Sequence, residues 1–92
     1  MLITYGKEKN ALLKQSRGIG FEEIIAAIDS GKVLDVYDHP DQENYTGQKI
    51  YVVEALDYVY LVPFVRNEEG IFLKTIIPSR KAKKIYKGDN NV

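Results

Sequence analysis

The clearest pattern in the chain is helical. Phe21, Ile24, Ile25 and Ile28 fall at i, i+3, i+4 and i+7, one apolar stripe on a helix that starts near Phe21. Glu22 and Glu23 occupy its first turn, where the helix dipole favours negative charge, and Gly31 follows its end. Upstream, Lys7 to Arg17 carries the helix formers Ala11, Leu12, Leu13, Lys14 and Gln15 and is closed by Gly18, which predicts a first helix. Ile3-Thr4-Tyr5 before it reads as a short edge strand or an irregular lead-in.

From Val33 to Ile77 the pattern changes to strand. Val33 to Tyr37 is a β-branched run interrupted by Asp35, ending at the turn-prone Asp38-His39-Pro40-Asp41. Lys49 to Leu56 is apolar on both faces, as a central strand should be. A tight turn near Asp57 leads into Tyr58 to Arg66, Asn67-Glu68-Glu69-Gly70 forms a hairpin connection, and Ile71 to Ile77 is the returning strand. Pro63 signals an edge or a bulge, because proline gives no ladder donor. Pro78 to Lys87 is a short basic helix with Pro78 just before it and Gly88 just after. Two helices followed by consecutive strands predict an α+β fold: two N-terminal helices packed on an antiparallel β-sheet, with a short C-terminal basic helix.

Length and composition narrow the class. Ninety-two residues make one domain, 1–92, and 45 % hydrophobic with 28 % charged residues is ordinary for a folded chain. The chain has no cysteine, which removes disulfides, thiolate metal sites and cysteine nucleophiles together. With His39 the single histidine, the cluster Asp38, His39, Asp41 and Glu43 reads as a surface turn, and neither metal nor cofactor is expected. No apolar run approaches the ~20 residues of a membrane helix, and the first residues lack signal-peptide features. The expectation is a soluble, cytoplasmic protein with no membrane partner.

The net charge is zero but unevenly spread. Residues 37–70 hold two basic and seven acidic side chains, and residues 71–92 hold six basic and one acidic. A basic end on a neutral chain is either a phosphate site or a solvated lysine-rich helix. If the face of Phe72, Lys74 and Ile76 coincides with that of Tyr58, Tyr60, Val62, Phe64 and Arg66, then Lys74, Arg66 and one or more tyrosines meet near Arg80 and Lys81. Such a set suits metal-independent RNA cleavage, which needs a base for the 2′-hydroxyl, cations for the phosphorane and an acid for the leaving 5′-oxygen. Arg80 is the phosphate clamp, since guanidinium grips phosphate in a bidentate fork. Lys74 or Lys81, flanked by cations, is a proton-exchange candidate, with Tyr86 and His39 weaker ones. Arg66, Lys83, Lys84, Arg17 and Tyr60 are the candidate RNA contacts.

Two stretches carry a resemblance. Arg17-Gly18-Ile19-Gly20-Phe21-Glu22-Glu23 resembles the Lys-His-Gly-Val-Ser-Phe-Glu-Glu stretch of BrnT-type toxins. Thr75-Ile76-Ile77-Pro78-Ser79-Arg80-Lys81-Ala82 resembles that family's Arg-Ile-Ile-Ser-Ala-Arg-Lys-Ala signature, and Asp38-His39-Pro40 falls where the family has an Asp-His turn. Arg17 stands in place of the family's histidine and Thr75 in place of its signature arginine, whereas Arg80 and Lys81 match. The resemblance covers roughly residues 5–87. It implies a RelE-like fold and the toxin of a type II toxin–antitoxin system. It further implies a ribonuclease that acts on RNA to inhibit translation and growth. Its partner is then a cognate ribbon-helix-helix, DNA-binding antitoxin in a toxin–antitoxin hetero-oligomer. The competing expectation is a non-catalytic RNA- or protein-binding module of the same fold.

Overall fold

The computed structural model describes residues 2–88. In chain order the elements are β1 (Leu2–Tyr5), α1 (Lys7–Arg17), α2 (Phe21–Asp29), β2 (Val33–Asp38), β3 (Lys49–Ala55), β4 (Tyr58–Arg66), β5 (Gly70–Leu73), β6 (Ile77–Pro78) and α3 (Arg80–Lys87). The fold is α+β, with six strands in one sheet ordered β1-β5-β4-β3-β2 and β6 paired to β4. The sheet is mixed: β1 runs parallel to β5, and every other pair is antiparallel.

Helices lie on both faces. On one face, Phe21, Ile24 and Ala27 of α2, with Leu13 of α1, pack on Tyr51, Val53, Tyr60, Val62, Phe64, Ile71 and Leu73. Ile25 and Ile28 flank that core partly buried, so the predicted stripe packs on the sheet with Ile24 at its centre. On the other face, Ala82 of α3 packs with Val52 and Val59, flanked by Leu34 and Leu61. Asn10, the buried polar side chain of the core, joins α1 to α2. Its Oδ1 accepts from the Phe21 N–H at 2.6 Å, and its Nδ2 donates to Glu22 at 3.0 Å. Those contacts serve the first turn of α2, whose N–H groups have no partner within the helix.

The expected strand Ile71 to Ile77 is split. Leu73 pairs with Phe64 and Ile77 with Leu61, so three residues, 74–76, stand opposite two, Val62 and Pro63. Pro63 is the physical reason. Its carbonyl accepts from the Lys74 N–H at 2.8 Å, but it has no N–H to return, and the ladder lapses on that side. The proline therefore lies in a central strand, opposite a bulge. The extra residue reverses the alternation: Ile76 turns into the α2-side core, fully buried, while Ile77 pairs with Leu61 on the α3 side. The expected common face of Phe72, Lys74 and Ile76 does not survive that reversal.

β2 carries a second bulge. Val33 pairs with Val53, yet the next pairs are Asp35 with Val52 and Tyr37 with Ile50. The shift puts Asp35 and Tyr37 on the α3 side of the sheet. Without it the alternation would leave both on the α2 side.

Candidate functional site: the cleft under the basic helix

α3 begins where Ser79 caps it, the Ser79 Oγ accepting from the Ala82 N–H at 3.0 Å. The Ser79 N–H donates to the Val59 carbonyl at 3.0 Å, anchoring the helix start to β4. From Arg80 to Lys87 the helix holds five cations and no acid. Lys87 is tied down by Glu54 at 2.5 Å and Asp57 at 3.7 Å, and Lys83 lies 5.1 Å from the Tyr58 ring centre. Arg80, Lys81 and Lys84 are exposed and, among the described residues, belong to no ion pair.

Between α3 and the sheet opens a cleft of about 270 Å³. Val52, Leu61 and Ala82 make its apolar floor, Tyr37, Ile85 and Tyr86 its walls, and Ser79 and Lys81 its rim. The Tyr86 hydroxyl donates to Asp35 Oδ2 at 2.6 Å, pinning the last turn of α3 to β2. That bond holds the Asp35 carboxyl below its ordinary range and raises the Tyr86 hydroxyl above its own. Tyr86 thus keeps its proton at neutral pH and is oriented by Asp35, a residue the sequence reading did not single out for the site. Tyr37 was missed as well. Strand alternation gave no signal for either, because the β2 bulge decides their face.

The sequence-predicted residues do not all gather here. Lys81 and Tyr86 line the cleft, Arg80 and Lys84 stand on its helix, and Lys83 is turned toward Tyr58. Lys74 sits in the bulge beside Pro63, its ammonium 5.6 Å from the Phe72 ring centre. Phe72 pairs with Val65, while Arg66 pairs with Ile71 of the α2-side core, so Lys74 and Arg66 lie on opposite faces of the sheet. Arg66 is also five residues along β4 from Leu61, roughly 16 Å at ~3.3 Å per residue. Tyr60 is buried in the α2-side core, and burial raises its hydroxyl, so its ring is not presented to a ligand. Arg17, at the end of α1, donates to the Ile76 carbonyl and so braces the bulge. His39 lies in the β2–β3 connection, stacked on Tyr45 with ring centres 4.2 Å apart, and its Nδ1 accepts from the Asp41 N–H. Among the described residues no three His, Cys, Asp or Glu side chains converge as metal ligands, and no helix is long and apolar enough to cross a membrane.

What remains is an apolar cleft with two tyrosine walls and Lys81 at its rim, under a helix whose Arg80, Lys81 and Lys84 belong to no ion pair among the described residues. Cations of that kind hold an anionic backbone, and rings of that kind take a flat apolar group. No protein-family model, curated protein or solved structure matches the chain.

Proposed function

We propose that this chain is the toxin of a bacterial type II toxin–antitoxin pair, a RelE-like, metal-independent ribonuclease of the BrnT type. The observation that carries this reading is the start of α3: Arg80 and Lys81 stand exposed there, Lys81 on the rim of the cleft, both in no ion pair among the described residues. The element order, two helices ahead of the main strands and a basic helix after them, supports it.

In the proposed reaction the 2′-oxygen loses its proton to a base and bonds to phosphorus. The bond from phosphorus to the 5′-oxygen breaks, and that oxygen takes a proton. Arg80 holds the phosphate oxygens as charge builds on them, and Lys81, one residue on at the rim, supplies the leaving oxygen's proton. Tyr86, fixed by Asp35, positions the strand without exchanging protons. Lys74, on the α3 side of the sheet, adds charge beyond the cleft. The cytoplasm is the proposed compartment and a ribbon-helix-helix antitoxin from the adjacent gene the proposed restraint.

The second reading, a non-catalytic RNA- or protein-binding module, is favoured by one observation. Two of the candidate proton exchangers are already engaged: Tyr86 donates to Asp35, and His39 is stacked on Tyr45 in the β2–β3 connection. One assay separates the two. Wild type and Arg80→Ala of equal melting temperature are given a defined RNA with EDTA present. The toxin reading expects cleavage by wild type, a loss of ~100-fold or more in Arg80→Ala, and partial rescue in Arg80→Lys, whose ammonium lacks the fork. Equal rates remove Arg80 from the site. Binding without cleavage, with or without EDTA, establishes the module.

A further inference from the structure

We propose that the cleft under α3 seats one unpaired base of single-stranded RNA, with Tyr37 and Tyr86 as stacking walls and the α3 cations on the flanking phosphates. The inference rests on the reading of RNA as the ligand and adds which group of it enters the fold, and where.

The cleft has the make-up of a base pocket. Its floor residue Val52 is fully buried and Leu61 and Ala82 are apolar, while both tyrosines remain 37 % exposed. Neither ring belongs to a stacked pair or a cation–ring contact among the described residues, and each keeps part of its surface open to solvent. At about 270 Å³ the cleft falls below the ~300–1,000 Å³ that encloses a drug-sized ligand, which suits one planar ring system.

Charge selects the ligand class. Lys81 stands at the cleft rim, Arg80 and Lys84 are exposed on the same helix, and α3 carries no acid, so an occupant with an apolar flat part and an anionic backbone running along the helix completes the surface. A single strand has that form, because its bases splay out and stack on aromatic side chains while its phosphates follow a basic track. A duplex hides its base faces and does not.

Few polar groups are left to read base identity. The Tyr86 hydrogen goes to Asp35, and the Ser79 oxygen accepts from Ala82. The pocket accordingly separates a base from no base more sharply than one base from another.

The test uses the full chain and a non-cleavable 2′-O-methyl hexanucleotide, compared by fluorescence anisotropy with an abasic backbone of the same length. Wild type should bind the base-bearing strand roughly 5- to 150-fold tighter than the abasic one, the range of one base–aromatic stack. Tyr37→Ala should remove most of that preference without weakening abasic binding, and Tyr37→Phe should retain it. Ile85→Ala, at another exposed wall, is the second probe should Tyr37→Ala melt early. An unchanged preference in both alanine variants overturns the base pocket and leaves RNA binding standing. Failure of wild type to bind either strand overturns both readings. Unchanged strand binding with lost association to the adjacent gene's product makes the cleft a protein-docking site and overturns the inference.

Discussion

Gly70 shows how one residue's missing side chain permits a strand pair. Its φ is +156°, and a Cβ there would lie 2.0 Å from the Leu2 carbonyl oxygen, an atom of the backbone that cannot step aside. β1 can approach β5 only because position 70 is bare. Gly70→Ala should therefore destabilise by ~1–3 kcal/mol or more, read as a shift in the urea midpoint, with amide exchange first accelerated along Leu2 to Tyr5. Asn10 acts in the opposite way, by supplying atoms. Asn10→Ala strips the Phe21 N–H of its buried partner, and an orphaned donor costs ~1–3 kcal/mol, measurable in the same titration.

Among the elements, α2 holds the most weight. Ile24 is fully buried at the centre of its stripe, while Ile25 stands at the margin of the core. Ile24→Ala should cost ~2–5 kcal/mol and Ile25→Ala clearly less, whereas equal losses would mean that α2 sits rotated about its axis. The joint between α1 and α2 is sensitive to pH. Hydrogen bonds from Lys14, the backbone and Asn10 hold the Glu22 carboxyl at about 2, against an ordinary 4.5. A depressed carboxyl stabilises the fold above its unfolded value, and that contribution fades as pH falls through the folded one. The melting-temperature gap between wild type and Glu22→Gln should thus be full at neutral pH and close between about pH 5 and pH 2. A gap that stayed constant over that window would mean that Glu22 acts by packing alone.

For the molecule as a whole, charge separates along the chain, with the acidic excess in residues 37–70 and the basic excess in residues 71–92, five of whose six cations lie on α3. Zero net charge suits a protein that grips RNA at one place without coating it. Under the toxin reading, soluble expression of the chain alone should arrest bacterial growth, Arg80→Ala should restore it, and co-expression of the adjacent gene should do the same. Growth curves at matched soluble expression decide this. Normal growth with abundant wild-type protein returns the chain to the class of binding modules.

Periodicity by itself determined most of the elements of this protein. The stripe from Phe21 to Ile28, the glycine closing α1, the central run Lys49 to Ala55 and the basic last helix all lie where local spacing and end residues put them, because those signals act within one or two turns. The short lead-in Leu2 to Tyr5 left its state open, and parallel pairing with the distant β5 settled it as an edge strand. Tertiary structure decided which side chains meet. Strand alternation has a period of two, so a single extra residue exchanges the faces of everything beyond it. One bulge, opposite Pro63, sends Ile76 into the core and brings the chain to the α3 side of the sheet; the other, at Leu34, turns Asp35 and Tyr37 to meet Tyr86 there. Pro63 marks the neighbourhood of the first bulge, but the residues at which each bulge falls depend on the partner strand's register. Lys74 and Arg66, grouped by an unbroken alternation, consequently lie on opposite faces, and the cleft is lined by tyrosines that no local pattern had brought together.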